Sequence, residues 1–189
     1  MHATMSTKEK IISAALQVLL DDGFSALTQT RVAQAAGLGQ GNLTYHFPKR
    51  SDLLRAVMDA SKTQLRLELC NQSNGPLTLK KLQTQLCNHA LSENFPRLML
   101  ALTLASANDP ALCRWFEQHA EEGQMQFRAV LKTLDISVTD SALQLLRATV
   151  IGASLIYLQQ QTEAAKKTAQ AVIAAGFKTL IKNAQHLNA

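Results

Sequence analysis

The stretch Thr28–Phe47, TQTRVAQAAGLGQGNLTYHF, decides how this sequence is read. Thr28 suits the N-cap of a short helix running to about Ala36, because its hydroxyl can accept a bond from an otherwise unpaired first-turn amide. Gly37 breaks that helix, supplying the positive φ that a tight turn needs and that a residue with Cβ adopts only at a cost. A second short helix follows from about Gln40 to Phe47, and Pro48 ends it. Two short helices joined by a turn of three or four residues make a helix-turn-helix. Ala33 is small enough to stand where they cross, and Val32, Ala36, Leu38 and Leu43 fall at offsets that turn them inward. Gln40, Asn42, Thr44, Tyr45 and His46 are left with little to bury against. Hydrogen-bonding side chains on a short exposed helix are what major-groove reading requires.

Working outward, residues 8–20 read as an amphipathic helix, with Ile12, Ala15, Leu16 and Leu19 at three- and four-residue spacing. Gly23 stops it, and Phe24 can fold back onto its apolar stripe. A fourth, longer helix starts near Arg50 or Ser51 and carries Leu53, Leu54, Val57, Leu65 and Leu69. The segment Asn71–Pro76 (NQSNGP) reads as a loop. Helical stretches follow at about 78–91, 95–107, 110–134, 140–160 and 164–186, with Pro110 at a helix N1 position. The Gln159–Gln161 run reads as a polar helix end. Leu and Ala number 57 against 14 for Val and Ile, a balance that favours an all-α protein. The division expected is a helix-turn-helix domain over 1–50, a linking helix over about 51–70, and a further helical domain over 51–189.

Composition narrows the classes. The chain has 189 residues, 47% of them hydrophobic and 17% charged, which suits one globular unit or two small ones. No run approaches 18–20 uninterrupted apolar residues, so no membrane partner is expected. The first residues, MHATMSTKEK, lack an apolar signal core, and three cysteines (Cys70, Cys87, Cys113) without CxxC spacing fit reduced thiols; the expected location is the cytoplasm. The formal charge is +5, but residues 1–60 hold six Lys and Arg against five Asp and Glu. Charge by itself therefore shows no nucleic-acid site. Cys87, His89, Cys113 and His119 lack metal-ligand spacing, so no metal or cofactor is expected. No catalytic motif stands out, and the chain reads as no enzyme.

The run from Gly23 to Leu54 resembles the DNA-binding domain of the TetR (TetR/AcrR) family of bacterial transcriptional regulators. The resemblance rests on Gly23, Thr28, Val32-Ala33, Ala36-Gly37-Leu38, Gly41, Leu43, Tyr45-His46-Phe47, Arg50 and Leu53-Leu54. It implies that Gln40, Gly41, Asn42 and Tyr45 meet base edges or the groove wall of double-stranded operator DNA. It also implies that Thr28, Gln29, Thr44, His46, Lys49 and Arg50 hold phosphates. Gln and Asn amides can pair with adenine in bidentate fashion. The sequence departs from the family at Thr44, where Tyr is usual, and at Lys49, where a capping Asp or Ser is common.

In the resembled family the C-terminal region binds a small-molecule effector and forms a homodimer. Here Phe95, Met99, Trp115, Phe116, Met125 and Phe127 are concentrated in one region and can line an apolar cavity, or serve simply as core. His89, Asn94, His119 and Gln126 are candidate polar contacts. Small residues punctuate the last two helices: Ala148, Gly152 and Ala153, then Ala171, Ala174, Ala175 and Gly176. They allow close helix approach, either across a two-fold axis or within one chain. The reading is thus a ligand-responsive repressor that binds a palindromic operator as a homodimer. Its rivals are a helical ligand-binding or interaction protein whose helix-turn-helix is purely structural, and an enzyme using His89, Cys113 or His119.

Overall fold

A computed structural model describes residues 5–70 and 76–187, and among these every long element is an α-helix. The side chains of Leu65, Leu69 and Cys70, and most of the 71–76 loop, lie outside the described residues. Helix α1 (Thr7–Asp21) opens with a capping box, in which the Ser6 hydroxyl accepts from the Glu9 amide and the Glu9 carboxylate accepts from the Ser6 amide. Gly23 then takes φ 80° and Gly37 takes φ 67°, the left-handed turns expected of them. Between the two, α2 (Gln29–Ala35) is capped by Thr28; beyond Gly37, α3 (Gln40–His46) ends at Phe47. Helix α4 (Arg50–Cys70) has no capping side chain at Lys49. Instead Asp52 reaches back, its carboxylate accepting from the Lys49 amide at 3.1 Å, so the basic side chain of Lys49 stays free to project.

The body follows as α5 (Leu79–Ala90), α6 (Asn94–Ser106), α7 (Pro110–Lys132), α8 (Asp140–Gln160) and α9 (Glu163–Leu187). Pro110 sits in the first turn of α7 behind Asp109, whose carboxylate caps the Ala111 and Leu112 amides. Gln161, in the left-handed conformation, ends α8, so the glutamine run is a helix terminus. Two apolar cores result. The first joins α1–α4 to Leu98, Met99, Ala101 and Leu102 of α6 and to Leu112 of α7. The second joins α5, α7, α8 and α9 around Leu82, Leu131, Ile173 and Phe177.

The first core crosses the boundary drawn near residue 50. Helix α6 packs against both α1 and α4, and also against α8. The helix-turn-helix is therefore seated on the body by α6 as well as tethered by α4. Sequence periodicity does not show this, because an apolar stripe gives no sign of which helix will cover it.

Candidate DNA-binding surface and ligand cavity

The α1–α3 unit closes over Leu43, Val32 and Leu27, all within 1% of full burial. This packing fixes which face of α3 looks outward. Gln40, Gly41, Asn42, Thr44 and Tyr45 are exposed, as are Thr28 and Lys49, and Tyr45 stands out at 82% exposure. A tyrosine that open on a seven-residue helix has no folding role to explain it. His46 is half-buried, with its ring edge-on to Tyr45 at 5.2 Å. Thr44 donates to the Gln40 carbonyl within the helix, and the Gln40 side-chain oxygen accepts from Thr30 at 3.5 Å. Thr30, exposed beside Gln40, was not singled out from sequence.

Two of the expected phosphate-binding residues hold the fold together. The Gln29 amide donates to the carbonyls of Phe47 and Pro48, at 3.0 and 2.7 Å, and so ties α2 to the α3–α4 turn. The Arg50 guanidinium lies over the Phe24 ring, 3.8 Å from its centroid, and donates to the Phe24 carbonyl. Arg31 is engaged with Asp22 at 2.7 Å. Lys49 has no ion pair among the described residues and is the exposed cation beside α3.

A cavity of about 250 Å³ lies among α4, α5, α6, α7 and α8. Of the residues expected at a ligand site, His89, Phe95, Met99, Phe116 and His119 line it, as does Phe127. Trp115 does not; it packs against the first core and stacks on His119, with ring centroids 4.8 Å apart. Met125 and Gln126 are exposed on α7, and Asn94 lines a neighbouring groove. The helical repeat accounts for this. Residues 116, 119, 120, 123, 124 and 127 share one face of α7; Met125 points the opposite way, and Gln126 stands at the edge of that face beside His119 but is exposed. Sequence reading missed Lys62, Gln124 and Arg147, polar residues that also line the wall.

The wall between α4 and α7 is a ladder of three polar contacts. Arg55 lies over Trp115 at 5.6 Å, Asp59 meets His119 at 3.4 Å, and Lys62 meets Glu122 at 3.5 Å. Positions 55, 59 and 62 repeat at helical spacing, as do 115, 119 and 122, so the contacts stack one turn apart. Burial, joined by the nearby Lys62 charge, holds His119 below the ordinary histidine value against the opposing pull of Asp59 and Glu122. Ser61 and His89 line both this cavity and the groove that runs against α1 at Glu9, Ile12 and Leu16. Burial raises the Cys87 thiol, which keeps it protonated and unreactive.

Helices α8 and α9 form the most extensive helix pair among the described residues. Gly176 belongs to that intramolecular seam: a Cβ there would meet the Thr149 methyl at 3.1 Å. Gly152 has open space around it, and Leu145, Ala148, Ile156, Val172 and Ala175 are exposed. The small residues thus divide between an internal seam and an outer apolar face. Helix α8 is also long and apolar enough to cross a membrane by length and composition alone, and 28% of that stretch is buried within the fold. It carries Asp140, whose carboxylate pairs with Arg128.

Comparison with known proteins bears on the N-terminal unit most directly. Residues 11–57 match the profile described as bacterial regulatory proteins, tetR family. The chain is 27% identical over 124 residues to the transcriptional regulator CymR of Pseudomonas putida, covering 64% of this chain and 61% of CymR. It spans less than two thirds of the length of the curated relatives it matches. Those relatives are HTH-type transcriptional regulators. A transcriptional regulator from Rhodococcus sp. shares the fold at a TM-score of 0.76 and 19% identity, over 95% of this chain and 98% of that one. The multidrug binding protein EbrR, solved with ethidium, follows at a TM-score of 0.64 and 22% identity, over 90% and 98%.

Proposed function

From a chain whose helix-turn-helix belongs to the TetR family of bacterial transcriptional regulators, we propose a homodimeric repressor that grips operator DNA with residues 28–50 and releases it when a small molecule fills the α4–α8 cavity. The observation that carries this reading is the face of α3. Gln40, Asn42 and Tyr45 are exposed together on a helix whose other side is fully committed to the core. Gln40 and Asn42 read base edges, Tyr45 and Gly41 meet the groove wall, and Thr28, Thr44, His46 and Lys49 face phosphates.

A small-molecule site is supported by the apolar cavity and by the neighbour EbrR, which holds ethidium. A homodimer is supported by the outer apolar face of α8 and α9, which a second copy covers as a four-helix bundle. A cytoplasmic location goes with this role. The effector acts through the cavity walls, since α4 begins at the helix-turn-helix and α6 packs on α1. A ligand that favours one arrangement of these helices changes the separation of the two recognition helices. Half-sites on one face of B-DNA lie ~34–36 Å apart, so a few ångströms of change breaks register. The test is binding of a labelled fragment from beside the chain's own gene. Specific, salt-sensitive binding that Gln40→Ala and Asn42→Ala weaken supports the reading. Binding no tighter than to random DNA favours the rival in which the helix-turn-helix is purely structural.

A further inference from the structure

Resting on the reading of the α4–α8 cavity as the ligand site, we propose that its ligand is a small amphipathic acid: an apolar body carrying one carboxylate, held at its head by Lys62, Gln124 and Arg147. The body is dictated by the walls, where Met58, Phe95, Met99, Phe116, Phe127 and Leu143 face a space of about 250 Å³. That is slightly below the ~300–1,000 Å³ of drug-sized sites, so the occupant is compact.

The head is dictated by an imbalance among the polar groups. Lys62 and Arg147 both line the cavity, and no Asp or Glu lines it. Arg147 has no ion pair among the described residues. The pair that Lys62 makes is long at 3.5 Å, and its partner Glu122 is 61% exposed, so solvent weakens it and an incoming anion can take its place. The Gln124 side-chain nitrogen is buried without a hydrogen-bond partner, a donor lacking an acceptor. An ionised carboxylate is an acceptor only, and it answers all three groups. A cationic ligand would enter beside two cationic side chains with no carboxylate among the lining residues to receive it, and a neutral apolar one would leave the Gln124 donor unpaired. Drawing Lys62 toward the head also removes it from Glu122, opening one rung of the α4–α7 ladder.

The experiment uses three compounds of one shape, 3-phenylpropanoate, 3-phenylpropanamide and 3-phenylpropylammonium, titrated calorimetrically into the full-length protein. Wild type binds the acid at least about tenfold more tightly than the amide, and the ammonium does not bind. Lys62→Gln and Arg147→Gln each weaken the acid about tenfold and leave the amide unchanged, so the amide reports an intact cavity. Glu122→Gln acts in the opposite direction, tightening the acid severalfold by releasing Lys62. The proposal is overturned if the amide or the ammonium matches the acid in wild type, if none of the three binds, or if the acid preference survives loss of both Lys62 and Arg147. An acid that binds as described yet leaves operator affinity unchanged ends the regulatory reading of the cavity and leaves the ligand class standing.

Discussion

Gln40 and Asn42 differ from Gln29 and Arg50 in what their side chains are doing in the free protein. The first two project outward, so Gln40→Ala and Asn42→Ala should each cost ~1–3 kcal/mol of discrimination between operator and random DNA, measured by competition anisotropy, without loss of stability. Lys49→Ala should flatten the salt dependence of binding by about one unit of slope. Arg50→Ala should instead lower folding stability by ~1–2 kcal/mol in urea unfolding, because it removes a stacked cation and a bond to the Phe24 carbonyl. Arg50→Lys should recover only part of this, since an ammonium cannot lie flat on the ring. His119 gives a pH signature of its own. Its folded value lies below the ordinary 6.5, so the unfolded chain takes up the proton first. Stability should be full above about pH 6.5, fall as pH drops toward the folded value, and level off below it. The groups facing His119 are Asp59 and Lys62 from α4, and Trp115 and Glu122 on its own helix. His119→Asn should remove the part of the pH dependence seen in Trp115 fluorescence, and an unchanged profile would assign that titration to another group.

At the level of helices, the contrast between Gly176 and Gly152 separates packing within a chain from packing between chains. Gly176→Val has the Thr149 methyl in its way and should destabilise the folded chain by ~1–3 kcal/mol. Gly152→Lys has open space and should leave the helices intact, yet it buries a charge wherever a second copy docks. Circular dichroism on melting checks the first, and sedimentation at micromolar concentration checks the second. The same contrast shows how far the sequence could be read. Helix positions were legible to within a residue or two, because Gly23, Gly37, Pro48 and Pro110 act through local backbone geometry alone. The outward set on α3 was legible because Leu43 left it no other direction. Which small residue on α8 or α9 faces which neighbour was not legible, because both seams draw on the same 3.6-residue repeat. Nor were Lys62 and Arg147 legible as cavity residues. A solvated lysine and one lining a cavity look alike until two distant helices meet.

For the molecule as a whole, the prediction is reciprocity. Whatever factor the cavity ligand takes from operator affinity, operator must take from ligand affinity, and Trp115, stacked on His119, should report both titrations by fluorescence. A dimer that resists dilution into the micromolar range should accompany it, and wild type sedimenting as a monomer there would remove the two-fold geometry. A last consequence follows from α6, which closes the first core against α1 and α4. On the ribosome the helix-turn-helix emerges well before Asn94–Ser106, so its apolar underside waits uncovered while the intervening chain is made. A fragment ending before α6 should therefore show loose, broad unfolding and bind hydrophobic dyes, whereas the full chain should melt its DNA-binding end together with its body. Helix α6 thus has two roles, completing the fold and ending the exposure of the nascent helix-turn-helix.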